Sequence, residues 1–445
     1  MRASRSKVFL ATAMAVGLCW LHAPGAPACD PALMARLGRK HADESHKLPP
    51  SDGPFDAHNI SMLGRLRLAD IAALTDHATN VWGYVSPAGR EYALLGLSDG
   101  TAFIEVTDPS APALVAVIAH PEACCSDVKT YRHYALVVSE GDDTGLQIID
   151  LELIDDGIVT LATTFRGASL SPAHTLFVNE ESGFAYLCGA RNSVSDGLLI
   201  VDIRDPLAPA FVNSWDAAYV HECQVVTYHE GPYAGREIAF LYTGYFDHRL
   251  RIVDVTNKTN LTLTGTATYP NARFTHQGWL TEDRRYVYVN DEFDEIRLGK
   301  TTSTIVIDVS NIDAPFYVRS FGTGLPSTDH NLMITGDFLF EANYTSGLRV
   351  FRILSPDFPE QLGWFDTHPA SDEPGFHGAW GVYSGLPSGN ILVSDVENGL
   401  FVFDVSAALA SAQGGLPVLP GLGIALLAGA VLGAGVIALR KPRPA

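Results

Sequence analysis

The chain has 445 residues and a net charge of −20, with 50 Asp and Glu against 30 Lys and Arg. That balance, without a polybasic block or an aromatic-basic stripe, argues against nucleic acid as a partner. Six cysteines are too few for a disulfide scaffold in a chain of this size.

The chain opens with the pattern of an export signal over residues 1–28. Arg2, Arg5 and Lys7 precede an apolar run from Val8 to Leu21, and Ala26-Pro27-Ala28 offers a small-x-small cleavage site. Cys19 leaves with this segment. Export permits one bridge among the remaining cysteines, and Cys188–Cys223 is the pair to test. Residues 29–57 read as a linker.

The isolated strand-like run "ISMLGRLRL" (60–68) comes next, followed by a motif that recurs seven times. It reads "AFIEV" (102–106), "LQIIDL" (146–151), "LLIVDI" (198–203), "LRIVDV" (250–255), "TIVIDV" (304–309), "LRVFRI" (348–353) and "LFVFDV" (400–405). A period near fifty residues, with about four short β-type runs per copy separated by Gly, Pro, Asn and Asp, predicts a propeller of seven four-stranded blades over residues 58–406. Six copies continue into a further strand and the seventh does not. The orphan run at 60–68 therefore supplies the missing outer strand and closes the ring. Closure also removes two open sheet edges.

Residues 407–417 read as a second linker. From Val418 to Leu439 no charge interrupts the sequence, a length suited to a membrane-spanning helix. Arg440, Lys441 and Arg443 follow, and by the positive-inside rule the tip at 440–445 is cytoplasmic. The expected fold class is thus an all-β, seven-bladed β-propeller closed by an N-terminal strand, plus a C-terminal transmembrane helix. The expected location is outside the cytoplasm, in the cell envelope, anchored by that single helix.

Five of the seven repeat heads carry a histidine: His174, His221, His276, His330 and His377. In an antiparallel blade the head of strand one and the end of strand two share one face near the axis. Strand-two ends bring Glu140, Asp291, Glu292, Glu341 and Asp395 to that face. Imidazole with carboxylate is a ligand set for Zn, Mn, Fe or Ni, and a more oxygen-rich subset favours Ca. The metal candidates are His174, His221, Glu222, His276, Asp291, Glu292, His330, His377 and Asp395, with His276 and Asp291 at the centre. A head histidine can equally tether neighbouring strands by hydrogen bonds, but the doublets His221-Glu222 and Asp329-His330 exceed what a tether needs. The acidic connectors "GDDTG" (141–145) and "NDEFDE" (290–295) lack the order of a calcium loop and read as solvated. No Gly-x-Ser-x-Gly, phosphate-binding Gly loop, His-Glu-x-x-His or Cys-x-x-Cys pattern is present.

The segments "LLIVDI" and "LRIVDV" resemble the LVIVD repeat. "YVHECQVVTY", "HQGWLTED", "NDEFDE", "DHNLMI" and "GAWGVYSGLPSGNILVSDVENGLFVF" resemble the choice-of-anchor B family of secreted bacterial proteins, over about Asn59 to Val405. The family pattern at the fourth head is His-Asp, where this chain has His221-Glu222. The resemblance implies a surface-anchored propeller and brings no established catalytic activity. Two functions follow as expectations. One is a binding module for an envelope protein, a glycan or a small molecule. The other is a metal-dependent hydrolase working at the top of the channel.

Overall fold

The computed structural model describes residues 51, 53–72, 75–190 and 196–412. Seven antiparallel sheets follow one another around an axis; five are built of four strands in chain order from the inside outward, and the sixth and seventh each take a strand from the N-terminal segment. Inner strands run Ala78–Val85, Ser126–Tyr131, Thr175–Asn179, Glu222–Thr227, Thr275–Leu280, Asn331–Thr335 and Ala379–Tyr383.

The sequence of each blade reflects which faces its strands cover. Second and third strands lie between neighbouring blades and are mostly apolar, as in Glu91–Leu97, where every residue is buried. A strand buried on both faces reads as a continuous apolar run and not as an alternation. Outer strands such as Ala113–Ala119 have one face in water and are largely exposed. The main core is divided into seven clusters, each filled by side chains of two adjacent blades.

The recurring acid of the repeat has a local task. Asp150, Asp202, Asp254, Asp308 and Asp404 each end the third strand and accept the backbone N–H two residues on, at 2.8 to 3.0 Å. A carboxylate that satisfies the first N–H of the turn favours the reversal into the outer strand. This acid is a turn former and takes no part in the channel chemistry.

Closure proceeds as expected. Ser61–Leu66 pairs antiparallel with Gly399–Asp404 and becomes the outer strand of blade seven. A second contact was not foreseen. Ala57–His58 adds a fifth strand to blade six, Ala57 opposite Phe365 and His58 opposite Trp364. Between the two, Ile60 is buried in the cluster joining blades six and seven. The N-terminal segment therefore stitches two blades together.

The expected spanning helix requires correction. The α-helices among the described residues are Leu68–Ile71, Asp294–Leu298 and Ser406–Ser411, and none is long and apolar enough to cross a membrane. Six residues rise about 9 Å, against the ~30 Å of a hydrocarbon core. Among the described residues the fold class is an all-β seven-bladed propeller in which no helix is long and apolar enough to cross a membrane, so neither the spanning helix nor the location built on a single C-terminal anchor is supported. The segment 418–439 and the leader at 1–28 lie outside the described residues.

Cys188 and Cys223 meet across the boundary of blades three and four in one apolar cluster, as unbridged thiols. Burial, followed by the hydrogen bond to Cys223, pushes the Cys188 thiol well up, so it stays protonated.

Candidate functional site

Four imidazoles stack along one side of the axis. Ring centroids are 4.0 Å apart for His174 and His221, 4.5 Å for His221 and His276, and 4.3 Å for His276 and His330. All four are buried. Each stands at or just before the start of an inner strand, so the repeat register alone brings residues 47 to 55 positions apart into contact.

Their hydrogen bonds fix which nitrogens remain as acceptors. His330 Nδ1 lies 2.6 Å from the carbonyl oxygen of Trp380 and must donate to it. Its Nε2 therefore carries a lone pair, which faces Glu292 Oε1 at 3.6 Å. His174 Nδ1 donates to Glu140 Oε1 at 2.9 Å, leaving its Nε2 lone pair 3.1 Å from His221 Nε2. His221 Nδ1 is 2.9 Å from the Tyr219 hydroxyl. His276 Nε2 is 3.7 Å from Glu292 Oε2, and its Nδ1 is buried without a hydrogen-bond partner.

Glu292 is the hub. Its two oxygens face two imidazole nitrogens at 3.6 and 3.7 Å, and Oε1 also accepts from Tyr344 Oη at 2.8 Å. Nitrogen-to-oxygen distances beyond about 3.2 Å are too long for good hydrogen bonds. They approach the ~3.4 Å edge of a tetrahedron whose bonds are about 2.1 Å. The ligand atoms of His221, His276 and Glu292 all lie within 4.8 Å of one another. These three can hold a metal ion.

The electrostatics match that chemistry. Burial, with the neighbouring imidazoles, holds His221 and His276 well below the usual histidine range, and burial lowers His330 to about 3. Neutral imidazole is the ligating form. Burial alone would lower His174 too, but the hydrogen bond to Glu140 and the charges of Glu140 and Glu222 outweigh it and raise it. Burial pushes Glu292 up to about 7, against the Tyr344 hydrogen bond and the charge of His174. An aromatic shell of Tyr344, Trp380 and Phe274 supplies the burial, with centroids 4.3 to 5.0 Å from the adjacent imidazoles.

Three of the residues expected at the site are otherwise engaged. Asp291, expected at the centre, turns away from the histidines. It accepts the Tyr269 hydroxyl and the backbone N–H groups of Arg273, Phe274 and Phe293, clasping its own loop. The residue beside it, Glu292, takes the place assigned to it. Asp395 closes a turn by accepting the N–H groups of Glu397 and Asn398. His377 pairs with Glu397 at 2.5 Å and stacks on His368, apart from the other four rings. Glu222 does face the axis. Burial, then the charge of Asp127, pushes its carboxyl up to about 8.

Tethering between blades is carried mainly by the residues that follow the histidines. Gln277 exchanges both of its amide hydrogen bonds with the Leu332 backbone, Asp127 accepts from Asn80 and from Leu176 N, and Gln224 accepts Leu280 N. Among the four, His330 doubles as a tether through Trp380, and His174 through Glu140 of blade two. Glu140, Tyr219 and Tyr344, which orient the imidazoles or the hub, were not among the sequence candidates. Glu140 was visible as the end of a second strand; the two tyrosines carried no signal in the repeat pattern.

A cavity on the axis collects one or two residues from every blade: Asn80, Cys125 and Ser126, His174 and Thr175, Glu222, His276, His330 and Asn331, Trp380. Its volume is about 10 Å³. That is room for one water molecule or one ion, and not for a sugar ring. Beside it, Cys124 Sγ donates to Glu140 Oε2 at 3.1 Å, and Cys124, Cys125 and Glu140 form a second group of metal-ligating atoms within 4.8 Å of one another.

With that geometry in hand, the comparisons identify the repeat. The LVIVD repeat profile matches residues 184–217 and 239–268. The chain carries LVIVD repeats. Those segments are the outer three strands of blade three and of blade four, which hold the turn-forming Asp202 and Asp254 and none of the head histidines. No curated protein matches the chain. Among solved structures, the β-propeller domain of Cps50 (Swd1) from Myceliophteria thermophila is 13% identical, covers 77% of this chain and 98% of its own, and has a TM-score of 0.51. A functionally unknown protein from Desulfotomaculum acetoxidans is 14% identical over 69% of this chain and 89% of its own, with a TM-score of 0.48. A putative 6-phosphogluconolactonase from Bacteroides fragilis is 10% identical over 71% of this chain and 87% of its own, with a TM-score of 0.47. The first likeness shows the fold alone, and the other two carry no argument.

Proposed function

We propose that this LVIVD-repeat propeller is an interaction module built around a transition-metal centre on its axis. His221, His276 and Glu292 are its ligands, with His330 or His174 available as a fourth. The observation that carries the reading is the Glu292 carboxylate bracketed by two imidazole nitrogens at 3.6 and 3.7 Å, too far for hydrogen bonds and close to the spacing of a shared ion. A nitrogen-rich set with one carboxylate suits Zn or Fe better than Ca or Mn. Of the proposed ligands, His276 lines the one-ion cavity, together with His330 and His174. A protein or glycan partner would dock outside it, on the face where Phe246 stands 90% exposed beside Tyr245 and Tyr219. The head motifs, more than the repeat match, support kinship with the choice-of-anchor B proteins.

Elemental analysis of the purified chain tests this. About one zinc-class ion per chain is expected. It should be lost in His276→Ala and in Glu292→Gln, and retained in His377→Ala and Asp395→Asn, all with unchanged circular dichroism. Losing one of three ligands should weaken binding by more than the ~10–100-fold that an outer-sphere partner costs. Protein free of metal, or metal indifferent to His276, would leave the imidazoles as packing.

A hydrolytic reading has one observation of its own. Glu222 faces the cavity with its carboxyl raised to about 8, so at neutral pH it is protonated and can act as a general acid. Metal-dependent turnover of an ester or lactone that disappears in Glu222→Gln would favour it.

A further inference from the structure

The column of ligating side chains does not end at His174. His174, His221 and His330 each stand immediately before the first residue of an inner strand. In blade two that register position is Cys125, directly before the strand Ser126–Tyr131. The acid repeats as well. Glu292 follows the last residue of its second strand, Tyr286–Asp291, and Glu140 follows the last residue of Tyr134–Ser139. Blade two therefore presents a thiol where three other blades present an imidazole, and a glutamate where blade five presents the hub.

Local structure brings these groups together. Ser126 pairs with Ser139, and one step further the Glu140 N–H donates to the Cys125 carbonyl oxygen at 3.0 Å. His77 Nε2, at the head of blade one, donates to the Cys124 carbonyl oxygen at 2.9 Å and fixes the residue before it. The Sγ atoms of Cys124 and Cys125 and a carboxylate oxygen of Glu140 all lie within 4.8 Å of one another. Cys125 is 3% exposed and lines the axial cavity beside His174. Cys124 is only half-buried, which leaves an ion a way in.

We propose that Cys124, Cys125 and Glu140 form a second metal site, sulfur-rich and suited to a thiophilic divalent cation of the Zn²⁺ and Cd²⁺ class. Two thiolates with one carboxylate are a soft donor set, which Ca²⁺, Mg²⁺ and Mn²⁺ use poorly. Metal–sulfur bonds of about 2.3 Å put tetrahedral sulfurs roughly 3.8 Å apart, within the 4.8 Å that these atoms span. Each thiol releases its proton to solvent as its sulfur ligates, so one divalent ion enters and two protons leave. The ion replaces the Cys124 S–H bond to Glu140 Oε2 at 3.1 Å, while Oε1 keeps His174 Nδ1. Glu140 thus joins the two centres: it ligates the outer ion and orients an imidazole next to the axial one. Because two protons must be expelled, the sulfur site fills after the axial centre, whose neutral imidazoles lose none.

The test is a titration of the reduced full chain with CdCl₂ in the absence of oxygen, after loading with one equivalent of zinc. The readout is the ultraviolet charge-transfer band of cadmium–thiolate bonds, which imidazole and carboxylate ligands do not give. One equivalent of cadmium is expected to produce that band. Cys124→Ser and the nearly isosteric Cys125→Ser should each weaken cadmium binding by at least about tenfold, with unchanged circular dichroism. A double variant, Cys188→Ser with Cys223→Ser, removes the other thiol pair and should keep the band. No band in the wild type overturns the site. So does a band that survives in both Cys124→Ser and Cys125→Ser, or one that vanishes with Cys188 and Cys223. His276→Ala separates the two centres, since it should lose the axial ion and keep the cadmium band.

Discussion

Removal of residues 53–66 is expected to abolish cooperative folding of the whole propeller. Blade seven would lose its outer strand, the full ladder from Ser61 opposite Asp404 to Leu66 opposite Leu400. Blade six would lose the pairing of Ala57 and His58 with Phe365 and Trp364. Each loss exposes a row of unpaired backbone groups at a sheet edge. It also uncovers the cluster joining blades six and seven, in which Ile60 is 5% exposed. The single change Ile60→Ala should already cost about 2–5 kcal/mol, the usual range for a buried Ile truncated in a core. Gly64→Val attacks the same strand from outside. A Cβ at Gly64 would stand 2.1 Å from the carbonyl oxygen of Pro109 and 2.9 Å from Cδ of Pro112, in the outer turn of blade one. Since that obstacle is backbone and a proline ring, the strand itself must move. Circular dichroism with thermal and urea unfolding reads all three variants. A deletion protein that melts cooperatively at the wild-type temperature would refute the clasp.

The metal-free protein is expected to lose stability as the pH rises from about 6.5 to 8.5, and bound divalent cations should flatten or reverse that trend. Burial raises Glu292, Asp329 and Asp395 to about 7, and Glu222 and Asp294 to about 8. In the unfolded chain these carboxyls ionise near 4. The native state therefore binds protons that the unfolded state has already lost, and stability falls with pH wherever that holds. The contribution is complete below about 4 and disappears as the pH passes through 7 to 8. Raised His174 acts in the same direction. His221, His276 and His330 act oppositely, since their lowered values cost stability when the unfolded histidines take protons below about 6.5. Above that pH they are neutral in both states and silent, so the sign in the alkaline window belongs to the carboxyls and His174. A tenfold change in proton affinity corresponds to about 1.4 kcal/mol, and several groups act together, so the loss should reach several kcal/mol. Bound cations replace protons as the partners of the ionised carboxylates and remove the penalty. Urea unfolding of the stripped and reloaded protein at pH 6.5, 7.5 and 8.5 reads both trends. A flat profile in the stripped protein would show that these acids are better compensated than their burial implies.

The repeat was legible because its period is imposed by covalent sequence. Seven copies of an apolar strand, six of them carrying an acid at the strand end, can only be a repeated supersecondary unit, and a missing seventh outer strand pointed to the orphan at 60–68. The histidine ring was legible for the same reason: residues at equal register in equal blades reach the same height on the axis. Which carboxylate joins them was not. Asp291 and Glu292 are adjacent at the end of one strand, and a backbone that alternates its side chains sends one inward and one outward. The sequence pattern contains no information on which; the structure turns Asp291 onto the Tyr269 hydroxyl and three backbone N–H groups and leaves Glu292 to the imidazoles. His377 shared the register but found a nearer partner in Glu397. The run "NDEFDE" looked solvated because charged residues usually are; a five-residue helix folded its last two acids into the boundary with Asp329 instead. Sequence by itself thus determined the seven repeated blades and the closing strand of the last one, which depend on local pattern and period. Tertiary structure alone decided which acids face the axis and which are buried without partners, because that depends on the side to which each chain turns as the blades meet.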